Sequence, residues 1–144
     1  MANKMAQRSA TGKVVEMGRW LSESKRAAAA GEGKALSVKE LETAWSQRFA
    51  TAEIAELVIP RRTLARRKAA AEKLTPEEQD RAFRLAQIQV EADRVFGNPD
   101  KASRWLRTAN NRLSGQTPLS ILRSAAGAAL VEEMLVQIDH GMFV

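Results

Sequence analysis

The sequence has no cysteine, no tyrosine and one histidine, His140. The absence of cysteine excludes disulfides and thiolate metal sites. There is also no apolar run long enough to span a bilayer, and the first residues, MANKMAQRSATGKVV, lack the continuous apolar segment of a signal peptide. With 144 residues, the chain has about one domain's length. We therefore expect a cytoplasmic protein without a membrane segment.

Residues that usually carry catalysis are scarce. The sequence has no glycine-rich phosphate loop, no Gly-x-Ser-x-Gly motif, and no second histidine or cysteine to act with His140. His140 falls at the predicted end of the last helix, where the helix dipole favours an imidazolium. Glu132 and Glu133 are adjacent on that helix and point in different directions, which favours a solvated face over a metal site. We expect neither an enzyme nor a bound metal or other cofactor.

The net charge of +6 is unevenly distributed along the chain. Residues 1–69 hold 14 Lys and Arg against 7 Asp and Glu, a balance of +7, whereas residues 70–144 hold 9 against 10, a balance of −1. Such an asymmetry indicates that the N-terminal half binds nucleic acid or another polyanion. A solvated basic arm is the alternative.

Helix signals recur along the chain, and no segment alternates convincingly with the period of a β-strand, so we expect an all-α fold. Residues 1–35 are predicted to form a basic, weakly structured arm, with a short helix over residues 14–25 as an alternative. Ser37-Val38-Lys39-Glu40 has the form of a capping box. Thr75-Pro76 is predicted to start the longest helix, from residue 76 to about 96. Domain boundaries are expected near residues 36 and 75.

Two short helices joined by a tight turn at Ile59-Pro60 are predicted between Thr51, as a cap, and Lys68. This is the plan of a helix-turn-helix, and the second helix carries five basic residues, no acid, and Leu64 as its apolar marker. Residues at the start of such a helix meet base edges or phosphates, and those further along reach the flanking backbone. An exposed basic face without a partner is the alternative. The expected DNA contacts are Arg61, Arg62, Thr63, Arg66, Arg67 and Lys68.

The last thirty residues predict a helix start at Thr117-Pro118, then an amphipathic helix that ends at Gly141. We expect the helix to pack on the core through Leu130, Met134 and Ile138. Three apolar residues follow Gly141, although chain ends are normally polar. These residues are predicted either to fold into the protein's own core or to enter a partner.

Three stretches of this sequence, in this order, resemble the Xre/MbcA/ParS antitoxin family, whose members neutralise RES-domain toxins. They are IPRRTLARRK, LTPEEQDRAFRLAQIQVEADRVFGNPDKASRWLRTAN and LSGQTPLSILRSAAGAALVEEMLVQIDHGMFV. The similarity runs from about Ser37 to the final residue. Relatives commonly have Gly in the helix-helix turn, where this chain has Val58, and Pro at the position of Ala109.

The resemblance implies a helix-turn-helix domain over residues 36–74 that binds promoter DNA, followed by a toxin-binding domain over residues 75–144. It implies a cognate RES-domain toxin that consumes NAD as one partner, and operator DNA as the other, bound by a homodimer. The alternative is a stand-alone transcriptional regulator whose C-terminal domain only dimerises. The toxin-binding residues are expected to be Asp139, His140, Gly141, Met142, Phe143 and Val144.

Overall fold

The computed structural model of the chain describes residues 17–31 and 36–141. This part of the chain contains no β-strand, only an isolated bridge between Ser37 and Lys73, and the prediction of an all-α fold is confirmed. None of its helices is both long and apolar enough to cross a bilayer. Two 3₁₀ helices, Asn111–Leu113 and Leu119–Arg123, precede the last α-helix. The α-helices are residues 17–29 (α1), Val38–Trp45 (α2), Thr51–Leu57 (α3), Arg61–Ala69 (α4), Pro76–Phe96 (α5), Pro99–Leu106 (α6) and Ala125–Asp139 (α7).

Helix α5 has the predicted limits and packs against α6, α7 and the second 3₁₀ helix. The hydroxyl of Thr75 accepts from the Glu78 N–H (3.2 Å) and the Glu78 carboxylate accepts from the Thr75 N–H (2.9 Å), which closes a capping box. Gly97, at φ 64°, ends the helix in the left-handed conformation. The broad apolar stripe between these ends includes Ala82, Leu85, Ala86, Ile88 and Ala92.

Helix α1 packs on this core through one side. Met17 and Leu21 are buried. The ring of Trp20 lies 5.5 Å from the ring of Trp45 and 5.9 Å from the ring of Phe83. Edge-to-face and tilted aromatic pairs at such distances add about 0.5–1.5 kcal/mol each beyond the area that they bury.

This packing differs from the weakly structured arm expected over residues 1–35 and agrees with the alternative of a short helix over residues 14–25, of which residues 17–25 are described. Residues 17–29 form a helix because aromatic side chains far along the chain supply the contacts that the local pattern lacks. The remainder of that expectation falls on residues 1–16 and 32–35, which lie outside the described residues.

Helices α2 to α4 follow the predicted order. The capping box at Ser37 and Glu40 is present. Thr51 is not a cap, however: α3 begins after Ala50, whose N–H donates to the Glu53 carboxylate at 2.9 Å. Val58 has φ −116° and is 2% exposed, so the turn needs no positive φ and Val58 serves as a core residue there.

A buried ion pair joins the segment between α2 and α3 to α5. Arg48 Nη2 lies 2.6 Å from Asp93 Oδ1, and their side chains are 5% and 1% exposed. Gln89 Nε2 donates to the same carboxylate oxygen at 2.9 Å. The guanidinium of Arg107 donates to the Arg48 carbonyl and to Glu53. Removal of one partner of such a pair typically costs about 3–5 kcal/mol, because the other charge stays buried.

Helix α7 buries Ala128, Val131, Met134 and Leu135. Leu130 is 43% exposed, so the expectation that it packs on the core is wrong. A one-residue step turns a helical side chain by about 100°, which places Leu130 outside the stripe that Val131 occupies.

The start of α7 lies directly against the preceding 3₁₀ helix. Ser124 caps α7 by accepting from the Gly127 N–H at 3.0 Å. A Cβ at Gly127 would lie 1.8 Å from the backbone oxygen of Ile121. The predicted helix start at Thr117 is thus a 3₁₀ start, with the Thr117 hydroxyl accepting from the Ser120 N–H at 3.1 Å.

We expect Gly127→Ala to lower the free energy of unfolding by about 1–3 kcal/mol, because the added methyl group must displace backbone. Gly18→Ala in α1 is the matched control. A Cβ at Gly18 meets nothing within 4 Å, so this substitution should raise stability by roughly 0.5–1 kcal/mol. Urea unfolding measures both, and equal stability of the two variants would contradict the close approach.

Candidate functional site

Helix α4 presents a basic face to solvent. Leu64, 3% exposed, anchors the helix. Arg61, Arg62 and Arg66 are exposed, and none of the three has an ion-pair partner within the described ranges. Ala65 lies on the same exposed side, so the backbone of this face can approach a partner closely.

The other three residues expected to contact DNA are placed differently. Thr63 is half-buried. Arg67 turns toward α5, where its Nη1 bonds both carboxylate oxygens of Glu78 and lies 2.6 Å from Oε2. Its side chain is 14% exposed, so Arg67 is a structural residue rather than part of the exposed face. Lys68 Nζ lies 2.6 Å from Glu42 Oε2, so Lys68 already has an ion-pair partner.

The carboxyl of Glu78 has a lowered pKa. Burial raises the pKa, but the hydrogen bond from the Thr75 N–H and the hydrogen bond from Arg67 together outweigh the burial. Glu78 therefore has two structural roles: it caps α5, and it holds α4 against α5 through Arg67.

The charge at the start of α4 conflicts with the local rule for helices. The N-terminus of a helix carries partial positive charge, so Arg61 and Arg62 in the first turn are unfavourable in isolation. The N-cap residue is Pro60, which supplies no side-chain hydrogen bond to the free N–H groups. An anionic partner would relieve both features at once. Local conflicts of this kind are expected at functional sites.

A second candidate surface lies at the end of α7. Asp139 Oδ2 is 3.0 Å from Arg94 Nη2, and Arg94 also pairs with Glu91 at 2.6 Å. The N–H of His140 donates to Val136 at 3.0 Å. Asp139 and His140 thus lie together at the helix end, as the sequence predicted, with Asp139 held by α5.

Gly141 stops α7 as predicted. Its φ is 69°, and its N–H donates to the Ile138 carbonyl at 3.0 Å. The expected toxin-binding residues Met142, Phe143 and Val144 lie outside the described residues.

The two surfaces are attached to opposite ends of α5. Glu78 holds α4 and Arg94 holds the end of α7, and their separation of 16 positions corresponds to about 24 Å along a helix axis.

Sequence reasoning missed the solvent-exposed apolar residues of α7, Leu130 at 43% and Val136 at 48% exposure. Their signal in the sequence is that α7 is apolar on more sides than one buried stripe requires. In the part of the chain that the structure describes, no group of three or more His, Asp or Glu side chains is arranged to hold a metal ion.

Two family descriptions match the chain in succession. Residues 47–87 match the antitoxin Xre-like helix-turn-helix domain, and residues 91–141 match the antitoxin Xre/MbcA/ParS C-terminal toxin-binding domain. The matches meet inside α5, whereas the predicted boundary lies just before it. One description names a helix-turn-helix and the other names a toxin-binding domain.

Curated relatives called Antitoxin Xre occur in several bacteria. The relative from Pseudomonas putida is 46% identical over 84 residues, which are 58% of this chain and 53% of the relative. That from Yersinia enterocolitica is 34% identical over 86 residues, 59% and 58% of the two chains. That from Photorhabdus laumondii is 29% identical over 113 residues, 77% and 76%. The chain thus spans little more than half the length of the first two relatives.

We expect Glu78→Gln to lower the free energy of unfolding at pH 7 by about 1–3 kcal/mol, through the loss of its charged hydrogen bonds. A carboxyl with a lowered pKa stabilises the fold above its ordinary value of 4.5, and this contribution is lost as the pH falls through the lower folded value. The difference between wild type and variant should therefore shrink in acid. Urea unfolding from pH 7 to 3 tests this.

Glu77→Gln, in the same helical turn but exposed, is the control and should show neither effect. A difference between wild type and Glu78→Gln that stays constant down to pH 3 would contradict the assignment.

Proposed function

The chain belongs to the Xre-type antitoxins, and we propose on that premise that it neutralises a RES-domain toxin and represses its own operon. The observation that carries the proposal is the succession of the two matched domains, a helix-turn-helix and a toxin-binding domain, in one chain. The unpaired basic face of α4 and the fixed end of α7 supply the chemistry for two different partners. Operator DNA as a partner makes the cytoplasm the proposed compartment.

The toxin-directed part of the proposal concerns residues 139–144. The ion pair between Asp139 and Arg94 holds the end of α7, and Gly141 ends the helix in the left-handed conformation. We infer that this arrangement directs Met142, Phe143 and Val144 into the NAD site of the toxin. In this proposal Asp139 acts by positioning, while the residues after it make the contacts.

The DNA-directed part concerns Arg61, Arg62 and Arg66. Their guanidinium groups are exposed and unpaired in the described part of the chain, so binding to phosphates breaks no existing ion pair. Helix-turn-helix proteins commonly bind two half-sites as dimers. We therefore propose a homodimer on the operator, and the exposed Leu130 and Val136 are available to a second chain or to the toxin.

Deletion of residues 142–144 should abolish neutralisation while leaving DNA binding unchanged, because the described helices stay complete. The measurement is growth and cellular NAD in a strain that co-expresses the RES-domain toxin of the same operon. A gel shift with the promoter is the control for folding. Full neutralisation by the shortened protein would exclude the proposed blocking role.

The double variant Arg62→Ala and Arg66→Ala should bind promoter DNA more weakly, at least about tenfold at 0.15 M salt. The slope of log K against log salt should become shallower by about 1.8, as two phosphate contacts predict. Fluorescence anisotropy with a labelled promoter duplex over a series of salt concentrations measures both quantities.

The matched control for this charge change is the double variant Lys101→Ala and Arg104→Ala, which also removes two positive charges, but from exposed positions of α6. Equal binding by the two double variants would remove the assignment of DNA binding to α4.

A further inference from the structure

A cleft of about 230 Å³ lies beside the turn between α3 and α4. One wall is the turn itself, Val58 to Pro60. The other walls include two arginines from outside α3 and α4: Arg81 of α5, and Arg123 at the end of the second 3₁₀ helix. Because Pro60 immediately precedes α4, the cleft borders the start of the basic helix.

Arg81 is fixed in this cleft. Its Nε donates to the Val58 carbonyl at 2.9 Å, and the side chain is half-buried. A guanidinium presents five N–H groups, and one bond at Nε leaves the terminal nitrogens for another acceptor. They have no partner among residues 17–31 and 36–141.

Arg123 is held at the cleft by its neighbours rather than by a bond of its own. Leu119 and Leu122 are buried at 6% and 2% exposure and lie three residues apart, so they share one side of the 3₁₀ helix. Arg123 follows them, is exposed, and forms no ion pair with any described residue. A surface arginine kept next to Arg81 without a counter-ion favours an anionic partner.

The balance of charge around the cleft supports this. Among the described residues Glu56 is the one acid that lines the cleft, against Arg81 and Arg123 in the cleft and Arg61 and Arg62 directly beyond Pro60. Arginine suits phosphate because its planar fork matches two phosphate oxygens. The cleft adjoins the start of α4 at Pro60, the residue that immediately precedes Arg61 and Arg62.

We propose that Arg123, supported by Arg81, binds a backbone phosphate of the same DNA duplex that α4 binds. This inference rests on the proposed DNA binding and extends it. Arg123 belongs to residues 91–141, which match the toxin-binding domain. The toxin-binding domain therefore forms part of the DNA interface, and the helix-turn-helix alone has a smaller footprint than the whole chain.

The test measures the DNA affinity of Arg123→Ala over a series of salt concentrations, on a promoter duplex and on a duplex of scrambled sequence. Arg104→Ala, which removes one exposed arginine from α6, is the control. Arg123→Ala should weaken binding about fivefold at 0.15 M salt and make the salt slope shallower by about 0.9. The loss should be similar on both duplexes, since a phosphate contact carries no sequence information. Arg104→Ala should match wild type.

A second variant distinguishes the loss of a DNA contact from the loss of folding. Glu56→Gln removes the acid of the cleft, and we expect it to strengthen binding several-fold, which a misfolded protein cannot do. If the double variant Arg62→Ala and Arg66→Ala loses binding while Arg123→Ala keeps the wild-type salt slope, the role of Arg123 is overturned and the proposed DNA binding by α4 stands. It is overturned together with the proposed function if wild-type protein binds neither duplex.

Discussion

The ion pair between Arg48 and Asp93 carries two charges into a part of the core where both side chains are almost fully shielded from water. Charges in such a place are tolerated only at close range and in one geometry, because a displaced partner leaves the other unpaired. The corner between α2 and α3 therefore has one allowed position on α5. The segment that leads into α3 is held against α5 there, and α5 also packs against α7.

Local signals predicted much of this architecture. The limits of α5 followed from a threonine cap, a proline at the first helical position and a glycine stop, all of which act within one turn. The basic helix and its apolar anchor Leu64 were also visible in the sequence. What escaped prediction depends on partners distant in space: Trp20 packs because Trp45 and Phe83 are there, and Arg67 turns inward because α5 presents Glu78 to it.

The same distinction applies to the candidate sites. A run of basic residues gives the charge of a helix but not the direction of each side chain. Glu78 pairs with Arg67 and Glu42 with Lys68, whereas Arg61, Arg62 and Arg66 have no ion-pair partner among the described residues. Arg123 lies 62 residues from Arg61 in the sequence, so no local pattern could join it to the same surface. Proximity of that kind is a product of folding, and only the packed 3₁₀ helix reveals it.

Gly127 determines how closely α7 approaches the 3₁₀ helix that carries Arg123. At this residue the backbone of α7 meets the carbonyl of Ile121 with no room for a methyl group between them. Side-chain layers can absorb a small displacement by changing rotamers, but a backbone-to-backbone contact cannot. The spacing between the start of α7 and the 3₁₀ helix that ends at Arg123 is therefore set by the main chain, two residues before Arg123, and not by side-chain packing.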